Sequence, residues 1–167
     1  MSDTNNSRIN KIETLISPNK LIQSLPAPSA DTVSKHRNDI KNILNKKDNR
    51  LLVIIGPCSI HEPKSALEYA NKLSEIAKMT QDTLLIVMRT YFEKPRTSLG
   101  WKGYINDPHL DNSCDINLGL ERARQLLIEI NNIGMPVATE FLDTITPQYI
   151  ADLISCCLLY TSPSPRD

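Results

Sequence analysis

Gly56-Pro57-Cys58-Ser59-Ile60-His61 sets a thiol three residues before an imidazole, directly after an apolar run. A thiol there suits metal ligation or nucleophilic attack. One Cys and one His do not fill a coordination shell, so a structural cysteine beside a surface histidine is the plainer alternative. A second group is Met88-Arg89-Thr90-Tyr91-Phe92-Glu93-Lys94-Pro95-Arg96-Thr97. Arg89, Lys94 and Arg96 are cationic, and Thr97 adds a hydroxyl. An Arg fork suits carboxylate or phosphate, and a Lys ammonium acts as a point charge. The segment is either an anion clamp or a solvated, charged loop. Third, Thr139-Glu140-Phe141-Leu142-Asp143 offers two carboxylates. These are acid–base groups, a polar network or surface charge.

Each group follows a run that reads as a strand. Leu51-Leu52-Val53-Ile54-Ile55 and Leu84-Leu85-Ile86-Val87-Met88 are continuous apolar runs, and Pro136-Val137-Ala138-Thr139 is a shorter one. Runs without alternation suggest strands buried on both faces, as in a parallel sheet. Between them, Pro63 to Met79 and Asp115 to Asn132 have helical apolar spacing. Pro63 suits a first turn, and Gly134 a stop. Asp31 to Asn45 reads as a further helix. Thr146-Pro147 opens another, Gln148 to Ser155. Arg89 to Pro108 has no helical rhythm and holds the only tryptophan, Trp101. Strand alternating with helix is the grammar of an α/β fold with right-handed crossovers. Cys58, Arg89, Glu140 and Asp143 then sit at the C-terminal ends of strands, where such folds build their sites.

The flanks differ from this body. Residues 1–30 are rich in Ser, Asn and Pro, with apolar positions Ile9, Ile12, Leu15 and Ile16. They read as an arm with one short helix ended by Ser17-Pro18, too small to be stable without docking. Residues 31–155 form the structured domain. Residues 156–167, ending Ser-Pro-Ser-Pro-Arg-Asp, break the alternation and contain no expected fourth strand. Nineteen Lys+Arg against nineteen Asp+Glu give zero formal net charge. That balance argues against a nucleic-acid or membrane-surface partner. No apolar run approaches the roughly 20 residues of a membrane span. The polar N-terminus has no signal-peptide core, and the four cysteines show no disulfide framework. A reduced, cytoplasmic protein is expected.

The motifs GPCSIH, MRTYFEKPRTSLGWKG and ATEFLDTITPQYIADLIS, in this order, resemble the first part of the 3-deoxy-D-arabino-heptulosonate 7-phosphate (DAHP) synthases regulated by aromatic amino acids. The resemblance runs over about residues 8–155. It implies a (β/α)8 barrel of which this chain supplies the first three βα units, after an N-terminal helical arm. It also implies condensation of phosphoenolpyruvate with erythrose 4-phosphate, the first step of the shikimate pathway, with a divalent metal of the Mn, Fe, Co or Zn type. By the same resemblance Cys58 is a metal ligand, and Arg89, Lys94 and Glu140 belong to the substrate site. Lys94, Pro95, Arg96 and Thr97 match the segment that holds erythrose 4-phosphate. Asp143, Pro147 and Gln148, with the arm, match the feedback-inhibitor site for an aromatic amino acid. A homo-oligomer, dimer or tetramer, is implied for the full-length enzyme.

After Ser155 the family pattern gives way to Cys-Cys-Leu-Leu-Tyr-Thr-Ser-Pro-Ser-Pro-Arg-Asp. The tail has the look of an artefactual fusion to a truncated gene. The other metal ligands, further phosphoenolpyruvate-binding residues and more than half of the barrel are expected to be absent. The polypeptide as written is expected to be inactive and poorly folded. The alternative function class is a non-catalytic protein that keeps only the regulatory and dimer-forming segments.

Overall fold

A computed structural model describes residues 12–95 and 100–158. The expected alternation of strand and helix is present: β1 (Leu51–Ile55), α3 (Pro63–Met79), β2 (Leu84–Arg89), α4 (Ile116–Asn132) and β3 (Val137–Glu140). Two helices precede them, α1 (Pro18–Ser24) and α2 (Ala30–Leu44). A short α5 (Pro147–Ile150), a 3-10 turn (Ala151–Leu153) and β4 (Cys156–Leu158) follow. The strands form one sheet in the order β1-β2-β3-β4, every neighbouring pair parallel. Chain order kept across a parallel sheet is how a (β/α)8 barrel lays down its strands. The architecture is that of part of such a barrel. No helix among the described residues is long and apolar enough to cross a membrane.

Four expectations are corrected. First, there is a fourth strand: Cys156, Cys157 and Leu158 pair with Ala138, Thr139 and Glu140. Three residues suffice because the Ser155 N–H donates to the Val137 carbonyl and delivers the chain to the edge of β3. Second, the helix expected over 148–155 stops at Ile150. Its carbonyls are drawn into tertiary bonds instead. Tyr149 O accepts from Arg124, Leu153 O from Asn131, and Ala151 O and Ile154 O from Arg37. Third, β1 is not buried on both faces. It is a sheet edge, with Leu51 64% and Ile55 46% exposed. Fourth, Ser17-Pro18 opens a helix rather than ending one. Ser17 Oγ accepts the Lys20 N–H, and Pro18 takes the first helical position, where no N–H is needed. Residues 12–17 are not helical, and Ile9 lies outside the described residues.

β2 meets the expectation for a doubly buried strand. Ile86 and Met88 join α3 and α4 through Ala70, Leu73, Leu127 and Ile130. Leu85 and Val87 face the other way, onto Ile40 of α2 and Ala138 of β3. The arm docks within the chain. Asn117 accepts the Ile16 N–H and donates to Thr14 O, while Tyr149 Oη donates to Ile16 O at 2.6 Å. Arg124, with no exposure, holds the end of α1 through Leu25 O at 2.7 Å and grips both oxygens of Asp152.

Candidate functional site

Three segments leave the sheet side by side at its C-terminal edge. β1 runs into Gly56-Pro57-Cys58, β2 ends on Arg89 and β3 on Glu140. The register sets Met88 opposite both Ile55 and Val137. A Cβ at Gly56 would lie 2.7 Å from the Arg89 carbonyl oxygen and 3.0 Å from the Arg89 Cβ. Glycine is what lets the first segment turn so close over the second.

The close approach gathers charge around one backbone atom. Arg89 Nη2 donates to the Cys58 carbonyl oxygen at 3.3 Å, and Lys94 Nζ donates to the same oxygen at 3.2 Å. Lys94 Nζ also stands 3.0 Å from Cys58 Sγ. The Arg89 guanidinium lies over the Tyr91 ring, 3.9 Å from its centroid, a cation–π contact. Its Nε is buried without a partner, so the fork has a donor to spare. Burial pushes the Tyr91 phenol above its ordinary pKa. The Arg89 cation opposes that rise, and Glu140 adds to it. A thiol, two cations and a carboxylate thus come from three strand ends that are distant in sequence. Such a group recognises an anion carrying carboxylate or phosphate.

Beside Lys94 in the chain is a buried carboxyl. Glu93 is buried at 7% exposure, held between the Lys94 segment and the loop after β3. Thr146 Oγ1 lies 3.4 Å from Glu93 Oε1 and 3.1 Å from Asp143 Oδ2. Burial, and then the Asp143 charge, push the Glu93 carboxyl above the usual carboxylate range. Buried threonines stitch the adjoining strands: Thr139 Oγ1 donates to Thr90 O at 2.8 Å, and Thr90 Oγ1 to Ala138 O at 3.1 Å.

Residues 22–159 match the family model of the DAHP synthetase I family. The chain belongs to that family. It is 56% identical over 150 residues to the Phe-sensitive phospho-2-dehydro-3-deoxyheptonate aldolase of Escherichia coli K12, covering 89% of this chain and 43% of that protein. It is 54% identical over 157 residues to the Trp-sensitive form from Enterobacter agglomerans, covering 93% and 45%. The solved structure of the Francisella tularensis SCHU S4 phospho-2-dehydro-3-deoxyheptonate aldolase superposes with a TM-score of 0.86 at 54% identity, over 89% of this chain and 44% of that one. The chain thus spans less than half the length of these relatives.

In this DAHP synthetase I family member, Cys58, Arg89 and Lys94 are brought together as described. Pro95 follows them, exposed, and Arg96 and Thr97 lie outside the described residues. Glu140 is half-buried at the end of β3. Asp143 is exposed and caps the turn into α5, its Oδ1 accepting the N–H groups of Ile145 and Thr146 at 2.8 and 2.7 Å. Pro147 occupies the first position of α5. Exposed Gln148 donates from its side chain to Thr144 O at 3.3 Å. His61 is exposed, and no three His, Cys, Asp or Glu residues among the described ones group to hold a metal ion. A single cysteine does not make a metal site, and no two further His, Cys, Asp or Glu residues among the described ones group with Cys58.

Tyr91 and Glu93 at the site, and Arg124 at the arm, were given no role from sequence, and Thr146, read as a helix cap, makes no side-chain cap bond and bridges Glu93 and Asp143 instead. A signal existed for Glu93. It follows Phe92 in a segment that continues a buried strand, so its side chain had a buried alternative to solvent. Arg124 sits on the apolar face of α4, between Leu120 and Leu127 at helical spacing.

Proposed function

We propose that this chain contributes the phosphoenolpyruvate-binding corner of a DAHP synthase, which condenses phosphoenolpyruvate with erythrose 4-phosphate and releases phosphate. One observation carries the reading: Arg89 and Lys94 converge on the Cys58 carbonyl. The Arg89 fork takes the carboxylate or phosphate, and Lys94 supplies a second positive charge. Holding two mutually repelling anions is an electrostatic and entropic task. By the resemblance Pro95, Arg96 and Thr97 are assigned to erythrose 4-phosphate, and Glu140, at the end of β3, to the substrate site. Cys58 would hold the metal, which when bound polarises a carbonyl as a Lewis acid. Asp143, Pro147 and Gln148 form the part of an aromatic amino acid inhibitor site that lies in this chain. The assembled enzyme is a cytoplasmic homo-oligomer.

The 167-residue polypeptide alone is read as inactive, because its described residues bring one cysteine and no further ligands to the metal position. The second reading is a non-catalytic protein that keeps only regulatory and dimer-forming segments. The test mixes the chain with both substrates and Mn²⁺ and follows phosphate release, while calorimetry follows phosphoenolpyruvate binding. Binding that Arg89→Ala abolishes, without turnover, supports the proposal. Turnover overturns the inactivity. No binding overturns the substrate assignment and leaves the second reading.

A further inference from the structure

In the Glu93–Thr146–Asp143 cluster one hydroxyl stands between two carboxyls. A threonine hydroxyl has a single proton. Thr146 Oγ1 lies between Glu93 Oε1 at 3.4 Å and Asp143 Oδ2 at 3.1 Å, and can donate to only one of them. Asp143 Oδ1 is already occupied by two backbone N–H groups. Glu93 Oε2 is buried with no partner. A second ionised carboxylate buried beside Asp143 is costly. The bonds balance when Glu93 carries a proton: Glu93 donates to Thr146, and Thr146 donates to Asp143.

The cluster touches the candidate site through the chain itself. Lys94 follows Glu93, and the Lys94 N–H donates to Lys102 O at 2.9 Å. Glu93, Lys94, Lys102, Asn106 and Asp143 line one cleft. Lys94 and Lys102 line the same cleft, and Asp143 is the charge that acts on the Glu93 carboxyl. Burial and Asp143 favour the protonated form, while hydrogen bonds from Asn106, Thr146 and the Leu142 backbone oppose it.

We propose that Glu93 is a positioning residue for Lys94. With its proton in place it closes the chain to Thr146 and Asp143 and fixes the Lys94 segment beside Cys58. When it loses that proton to solvent, the chain opens and a negative charge stands next to a site that binds anions. The inference rests on Lys94 being a phosphoenolpyruvate-binding residue.

Phosphoenolpyruvate is the probe, and its dissociation constant is measured by calorimetry between about pH 5 and about pH 8. The wild-type chain is compared with Glu93→Gln, Thr146→Ser and Thr146→Val. The ionisation of the ligand itself is common to all four. Wild-type affinity is expected to fall more steeply with pH than that of Glu93→Gln, by up to about tenfold per pH unit for one coupled proton. Thr146→Ser keeps the wild-type profile, and Thr146→Val moves its midpoint. Parallel profiles for wild type and Glu93→Gln overturn the inference while leaving the substrate assignment intact. Wild-type failure to bind at any pH overturns both. Should Glu93→Gln not fold, the NMR titration of the Glu93 carboxyl in the wild-type chain decides. The Lys94 side-chain resonances must follow its midpoint, and a flat Lys94 response overturns the proposal.

Discussion

Lys94 Nζ stands 3.0 Å from Cys58 Sγ, bringing to one point an ammonium and a thiol 36 positions apart in the chain. The lysine is shared between that thiol and the Cys58 carbonyl, and a bound anion would compete for it. A charge-assisted hydrogen bond contributes about 1.5–3 kcal/mol. Lys94→Ala is therefore expected to weaken phosphoenolpyruvate binding by about tenfold to a hundredfold. Circular dichroism should show the fold unchanged. Cys58→Ser should leave that affinity nearly as it was and lower the affinity for Mn²⁺, read by calorimetry with the metal alone.

Gly56 is a second point of control. Its missing Cβ is what lets Arg89 sit beneath it, with the Arg89 carbonyl 2.7 Å from where the Cβ would be. Gly56→Ala must push the two strand ends apart. A stability loss of about 1–3 kcal/mol is expected from such overpacking, together with weaker phosphoenolpyruvate binding. A urea titration and a calorimetric titration of the same sample check both.

Arg124 governs the arm. Removing its side chain leaves the Leu25 and Tyr149 carbonyls and the Asp152 carboxylate without their donor. Unpaired buried acceptors cost about 1–3 kcal/mol each. Asp152 is 37% exposed in its side chain and regains water, so its share is small. Arg124→Ala is expected to destabilise the chain by about 3 kcal/mol or more and to free the arm. Limited proteolysis within residues 12–25 should then become fast.

The stability of the fold should also depend on Glu93. Its carboxyl is held above the ordinary value of 4.5, mainly by burial. The folded chain then keeps a proton that the unfolded chain releases. Stability is complete below that ordinary value and is lost as pH rises through the raised one. Glu93→Gln keeps the shape without the charge and should remove that loss. In thermal melts the advantage of Glu93→Gln over wild type should grow with pH, and no growth would count against a buried, proton-holding Glu93.

The outer strand predicts how the polypeptide behaves in solution. Leu51 and Ile55 are exposed on β1, which pairs with β2. A sheet edge with apolar side chains invites association. The chain is expected to bind a hydrophobic dye and to form concentration-dependent oligomers in light scattering. Leu51→Lys should reduce both.

The parallel strands β1, β2 and β3, the helices α2, α3 and α4, and the three strand-end motifs were legible in the sequence. Apolar runs of five residues and helical spacing are local patterns, fixed by periods of side-chain direction. The motifs also identified the family, because GPCSIH and MRTYFEKPRTSLGWKG are long and ordered. What the sequence could not display was competition between local and distant partners. Residues 148–155 have a helical start, yet Arg37, Arg124 and Asn131 claim their carbonyls, and the chain becomes a turn leading into β4. Ser17-Pro18 is as suited to open a helix as to end one, and the dipeptide does not say which.

By itself, then, the sequence determined which residues could bind an anion and in what order the strands appear. Only the tertiary structure decided that Arg89 and Lys94 share one carbonyl, that Glu93 faces Asp143 through a single hydroxyl, and that β4 completes the described sheet. The physical reason is the same in each case. Hydrogen-bond donors and acceptors must be matched inside the fold, and the match is made between residues whose separation in the chain says nothing of their distance in space.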